Sequence, residues 1–359
     1  MTAAEAVLAA MFLGLTAYVL FAGADFGAGV WDLVAGGTRR GRAQRELIEH
    51  SLAPVWEANH VWLIFVLVVL WTGFPPAFAA VASTLYIPLT LAALGMIARG
   101  SAFAFRKTVP SLSLQRLFGA AFAFSSFVTP FFLGAVVGGI ASGRVPPGIA
   151  KGDVVTSWIN PTSALGGVLA IGVCAYLAAV LLCADAQREV SAELADRFRA
   201  RGLVTAVLVG VVALGGVVVL RSDAPQLFHG ITHRGLPLMI VSGLAGLTSI
   251  VLLIRRRYGW ARIAGALAVV AVLWGWAAAQ YPYIQPPAVT IADAAASRTT
   301  LVTMLVTLAA GAVLLVPALG YLYLLFQRSQ HRTAAGAAPG WDGYTGASPA
   351  PGDPHRHNR

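Results

Sequence analysis

The stretch His50-Ser-Leu-Ala-Pro-Val-Trp-Glu-Ala-Asn-His-Val-Trp-Leu63 carries more of the fold than any other in this chain. It sets Glu57, Asn59 and His60 between Trp56 and Trp62 at the start of a long apolar run. A carboxylate at the centre of a bilayer helix costs about 3 kcal/mol even by the lower scales, so an acid kept there marks function by default. Toward the amino terminus, the other acid well inside an apolar run is Asp25, in the preceding segment. Two acids on neighbouring membrane helices point to proton handling.

Outward from this stretch, the whole chain reads as membrane. Apolar residues make up 58% of its 359 residues and charged residues 11%, against roughly a quarter charged in soluble domains. Runs of about twenty apolar residues recur, each long enough to cross a hydrocarbon core about 30 Å thick. The sequence predicts an all-α polytopic protein with about nine spans, near 6–34, 55–74, 77–98, 117–140, 160–183, 202–220, 236–254, 259–279 and 301–326. Strand alternation is absent, which argues against a transmembrane barrel. A count of nine suits two four-helix bundles plus one peripheral helix. The first run is too long and too poorly charged at its start for a cleaved signal peptide, so it is expected to remain as a helix. The expected organisation is a helical domain over 1–330 and a disordered cytoplasmic tail over 331–359, where Gly, Pro and Ala dominate.

The net charge of +10 is a topology signal, and nucleic acid is not an expected partner. Arginine gathers in alternate loops: Arg39, Arg40, Arg42 and Arg45; Arg99, Arg106, Lys107 and Arg116; Arg188, Arg197, Arg199 and Arg201; Arg255, Arg256, Arg257 and Arg262. By the positive-inside rule these loops are cytoplasmic, with the amino terminus outside and the carboxyl terminus inside. The same charges meet anionic membrane lipid.

Asp25 has Ala22, Ala28 and Gly29 as same-face neighbours, all small, so it is expected to face protein or a wet cavity. An acid there can also be structural, bonding backbone or a polar neighbour. Glu57 and His60 share a face three residues apart and can exchange protons through water. The order expected from span boundaries is Glu57 at the cytoplasmic mouth and Asp25 deeper. The alternative for Glu57, with Trp56 and Trp62, is an interfacial anchor in an aromatic belt. Arg99 and Arg106, seven residues apart on one helical face, suit carboxylates, phosphates or haem propionates, or serve only as topology signals. Cys174 and Cys183, about 13 Å apart along one helix, are too distant to bridge. Of the seven histidines only His60 lies near a predicted core, so no metal or haem ligand set is expected from this chain. A proton-coupled secondary transporter, with Asp25 and Glu57 as coupling sites, is the competing reading.

At these residues the chain resembles subunit II of cytochrome bd-type quinol oxidases, nearest the cyanide-insensitive branch. The resemblance rests on Gly23-Ala-Asp-Phe-Gly-Ala-Gly29, His50 to Leu63, Arg99-Gly-Ser-Ala-Phe-Ala-Phe-Arg106, Asn160-Pro161 and Trp274-Gly-Trp-Ala-Ala-Ala-Gln-Tyr-Pro-Tyr283. It implies a subunit of a respiratory complex in the bacterial cytoplasmic membrane that oxidises quinol and reduces oxygen. Haems b and d (or a further b) would sit on a larger partner, subunit I. This chain would be its haem-free companion, with Asp25 and Glu57 at the family's acidic positions on a proton path. Ala104 stands where some relatives carry an acid. The resemblance leaves open a structural quinone and a small single-span subunit.

Overall fold

A computed structural model of the chain describes residues 1–36, 41–52, 56–106, 112–188 and 191–334. The order is α1 (Ala3–Leu33), α2 (Arg42–Leu52), α3 (Trp56–Gly73), α4 (Pro75–Thr84), α5 (Tyr86–Arg106), α6 (Leu112–Ala141) and α7 (Pro161–Arg188). After these come α8 (Ala192–Asp223), α9 (Pro225–His233), α10 (Leu236–Ile254), α11 (Tyr258–Gln280), β1 (Tyr283–Gln285), β2 (Val289–Thr290), α12 (Ile291–Ala294) and α13 (Arg298–Ala334). The two strands form one antiparallel ribbon in the loop after α11.

The all-α membrane architecture is as the composition requires. Seven described helices are long and apolar enough to cross a bilayer, or eight if α3 and α4 are one broken span. The expected span 77–98 needs correction. It falls across α4 and α5, because the chain turns by 119° between α3 and α4 at Phe74-Pro75. Proline is tolerated at a helix start and has no N–H to continue the helix before it. A new helix, α5, then starts at Tyr86 and runs 21 residues, to Arg106.

Two compact units emerge, Met1–Met304 and Leu305–Arg359. Within the first, α1 packs on α3, α6 and α7, and α5 lies along α6. Farther along the chain, α7 pairs with α8 and α11, and α11 with α10. Of the second unit, the described part is the continuation of α13 to Ala334; the rest of the expected tail lies outside the described residues.

Local signals explain several starts. Thr2 opens α1 with a reciprocal capping box to Glu5, satisfying two helix-end donors. Asn160-Pro161 opens α7 with a one-way cap: the Asn160 Oδ1 accepts the Ser163 N–H at 2.8 Å, and proline occupies the first helical position. Close helix contact depends on glycine. A Cβ at Gly27 would lie 1.8 Å from the Cys174 carbonyl oxygen, and one at Gly134 would lie 2.3 Å from that of Gly166. These are backbone contacts that no side chain could relieve, so α1 and α6 each touch α7 at the distance small residues permit.

Candidate functional site: a buried ion pair beside unpartnered polar groups

The centre of the first half is an ion pair. Asp25 on α1 and Arg99 on α5 are 3% and 1% exposed. The Arg99 Nη2 donates to Asp25 Oδ1 at 2.7 Å, and Nε donates to Oδ2 at 3.3 Å. The same Nη2 also reaches the Asp25 backbone carbonyl at 2.8 Å, while Nη1 donates to the Ser126 hydroxyl of α6. Aromatic faces enclose the guanidinium: the Phe122 ring centre is 4.0 Å away and that of Phe26 is 5.1 Å away. The planar fork of arginine matches a carboxylate bidentately and stacks on aromatic faces, so lysine would not substitute.

The small residues around Asp25 serve opposite sides. Gly27 lets α1 approach α7. Gly29 makes room for the arginine, since a Cβ there would come within 1.9 Å of the Ser126 Oγ and 2.9 Å of the Arg99 Nη1. Nothing in the spacing of 74 residues marks Arg99 as the partner of Asp25. The spacing of Arg99 and Arg106 indicated only that the two suit carboxylates, phosphates or haem propionates.

Two further side chains, one on α1 and one on α3, have unmet polar atoms. The Tyr18 hydroxyl and both amide atoms of Asn59 are buried without a hydrogen-bond partner. The phenol of Tyr18 lies within electrostatic reach of Asp25, Arg99 and Cys174. Trp62, one turn beyond Asn59, packs into the apolar cluster that contains Tyr18, Ala22, Phe26 and Cys174. Orphan buried polar groups are uncommon, and ordered water is the usual partner where several converge. Tyr18 was not singled out from sequence. A tyrosine in an apolar helix gives no pattern signal, and its role shows only through its neighbours.

The antiparallel register of α1 and α3 fixes where α3 begins along α1. Val7 lies against Gly73, and Gly14 against Phe65. Continued along both helices, that register brings the backbone of Glu57 level with Ala22 and Gly23, within one turn of Asp25. Helix α3 starts at Trp56 and runs back along α1 immediately.

The remaining expected residues are distributed as follows. His60 is half-buried on α3. Trp62 is half-buried and sets its edge on Phe65, with ring centres 6.3 Å apart. Trp56, Glu57 and Arg106 have backbone in α3 and α5, but their side chains lie outside the described residues. Cys174 and Cys183 are free and buried. Among the described residues, no group of three or more His, Cys, Asp or Glu side chains is placed to hold a metal.

The motif Trp274 to Tyr283 ties the last helices to the first. The Trp274 indole N–H donates to the Thr16 hydroxyl at 3.1 Å, Phe12 tilts against Trp274 and Trp276, and the Tyr281 hydroxyl donates to Glu5 at 2.9 Å. These contacts hold α1 from the side opposite α3.

Comparison with known proteins agrees with this architecture. The family described as "Cytochrome bd terminal oxidase subunit II" matches residues 3–326. The chain is 26% identical over 262 residues to "Cytochrome bd ubiquinol oxidase subunit 2" of Bacillus subtilis, covering 71% of this chain and 72% of that one. To "Cytochrome bd-I ubiquinol oxidase subunit 2" of Escherichia coli K12 it is 28% identical over 214 residues, 57% of this chain and 54% of that one. Among solved structures, a chain of the bd oxidase from Geobacillus thermodenitrificans aligns with a TM-score of 0.72 and 26% identity, over 91% of this chain and 99% of that one. A family match running from the first helix into the last, on a shared helical scaffold, establishes that this chain belongs to the cytochrome bd terminal oxidase subunit II family.

Proposed function

We propose that the chain is the haem-free second subunit of a quinol:oxygen oxidoreductase in the bacterial cytoplasmic membrane. It stabilises a haem-bearing subunit I and supplies part of a proton path from the cytoplasm. The single observation that carries the proton reading is the buried Asp25–Arg99 pair with the unpartnered Tyr18 hydroxyl within electrostatic reach of it; both amide atoms of Asn59 on the neighbouring α3 are likewise buried without a partner. A buried charge pair is weak evidence for stability, because desolvation offsets its attraction. Its retention next to orphan polar groups supports a hydrated interior. Water held by Tyr18 and Asn59 would link Glu57 and His60 on α3 to Asp25 on α1, and proton transfer along such a chain needs only hydrogen-bonded neighbours.

The haem-free reading rests on where the imidazoles stand. His50, His229 and His233 are exposed, and His60 is half-buried, whereas a doubly ligated haem takes two buried imidazoles from facing helices. Haem on the partner subunit supplies the oxygen chemistry when bound. Relatives are named for ubiquinol and for menaquinol, so quinol is the substrate class of the complex. The positive-inside pattern supports an external amino terminus and a cytoplasmic carboxyl terminus. A structural quinone, a single-span accessory subunit and lipid contacts of Arg106 and its neighbours belong to this same reading. Family membership counts against the transporter alternative.

One observation favours a second role for Asp25. Its two carboxylate oxygens and its own carbonyl all bond Arg99, as in a fixed anchor between α1 and α5. Oxygen consumption by the intact complex separates the roles. Glu57→Gln and Asp25→Asn should assemble yet consume oxygen slowly. Normal turnover in both leaves only the anchor.

A further inference from the structure

Far along the chain from the ion pair, α9, the end of α11 and the loop after it enclose a pocket of about 380 Å³. Its lining includes Gln226, His229, His233, Arg234, Gln280 and Tyr281. None of these residues has a part in the function proposed above.

The two histidines are four residues apart on one helical face, with ring centres 3.9 Å apart and planes inclined by 37°. The Nδ1 of His233 lies 2.9 Å from the backbone carbonyl of His229. A carbonyl only accepts, so Nδ1 carries the proton, and in the neutral ring the Nε2 lone pair is free. A ring N–H held by a carbonyl is the arrangement that orients metal-bound imidazoles. The ring of His229 has no hydrogen-bond partner among the described residues.

A third donor belongs to a residue that lines the same pocket. Gln280 is held through its Nε2, which donates to the Ile284 carbonyl at 3.3 Å. Its Oε1 is buried and has no partner. Bare imidazole nitrogens and an unmet amide oxygen are all electron-pair donors, so they call for a cation or a hydrogen-bond donor. The nearby positive charge is already engaged. Arg234 donates to the Tyr281 carbonyl and lies 6.0 Å from the Tyr281 ring centre, and the Tyr281 hydroxyl is bonded to the Glu5 carboxylate. Exposure of Arg234 to solvent further screens its repulsion.

We propose that His229 and His233 chelate a borderline divalent transition ion, Zn²⁺ or Cu²⁺, with Gln280 completing the site directly or through a water. Imidazole donors select such ions over Mg²⁺ and Ca²⁺, which prefer oxygen. Two protein nitrogens leave coordination positions open to water, so the ion is exchangeable.

Zn²⁺ titration calorimetry on the purified complex tests this. The wild type should take up one Zn²⁺ that His229→Ala or His233→Ala removes, while Gln280→Leu weakens it by about 10–100-fold. His355→Ala/His357→Ala guards against capture by the tail and should leave that ion in place. Both pocket histidines are exposed, so assembly should persist in the variants and is checked by size-exclusion chromatography. Cu²⁺ as a pulsed-EPR probe should show coupling to two imidazole nitrogens in the wild type and to one in either single variant. The proposal is overturned if the wild type binds no Zn²⁺, if both histidine variants titrate like the wild type, or if only the tail variant loses the ion.

Discussion

The two halves of this protein close their helix bundles in different ways. In the first, α1, α5 and α6 meet at a charged pair, Asp25 and Arg99, with Ser126 as a further acceptor. In the second, α7, α10 and α11 meet at neutral groups: the Tyr176 hydroxyl bonds Ser249, whose own hydroxyl reaches the Ala261 carbonyl at 2.7 Å. The charged residues buried among the described ones are Asp25, Asp32 and Arg99, all in the first hundred residues. A chain able to pack its second half on hydroxyls and small residues has no packing need for a buried ion pair in its first. The contrast supports the functional role proposed for the charges and an architectural one for the hydroxyls.

Arg99→Met should break this contrast with the largest effect. It strands the Asp25 carboxylate, and loss of one member of a buried pair costs about 3–5 kcal/mol. Thermal melting of the complex would show the loss, and the double variant Asp25→Leu/Arg99→Met should recover most of it. A single variant as stable as the wild type would mean that water or another cation already serves Asp25.

Gly27→Val should come next. Its side chain would overlap the Cys174 carbonyl, a backbone atom, and overpacking of this kind costs about 1–3 kcal/mol or more. Gly246→Val on α10 is the control, because a Cβ there meets nothing within 4 Å. Equal yields of assembled complex from the two variants would refute the close α1–α7 contact.

How much of this was legible in the sequence follows from the range of each interaction. Asp25 stood out because acids are rare in apolar runs, and Asn160-Pro161 announced a helix start through local capping chemistry. The break at Phe74-Pro75 was misread because residues 75–84 are as apolar as a span, and hydropathy does not register direction. Its local sign was the Pro75-Pro76 pair. The partnership of Asp25 with Arg99 and the orphan Tyr18 depend on tertiary register, which no pattern within one helix encodes. The pocket histidines were passed over as lying outside a core.

Tyr176→Phe sharpens the contrast from the neutral side. Removing one hydroxyl from the Ser249 chain should cost about 1 kcal/mol and leave oxygen consumption unchanged. A large fall in turnover would show that the second half also carries chemistry.

The smallest effect is expected in the loop that joins the halves. Asp153 accepts the Val155 and Thr156 backbone N–H groups at 2.9 and 2.6 Å, and these bonds hold its carboxyl below the usual carboxylate range. Because the folded value is the lower one, this stabilisation is complete above the unfolded value, about pH 4. It fades as pH falls through the lowered value. Amide protection of Val155 and Thr156 should therefore drop only below about pH 4; a drop near neutrality would contradict the assignment.

The most direct measurement is oxygen consumption by the assembled complex carrying Asp25→Leu/Arg99→Met, compared with its melting temperature. If the pair exists for proton delivery, the variant should melt close to the wild type and turn over at least about tenfold more slowly. Wild-type turnover with intact stability would show that protons reach the oxygen site without Asp25.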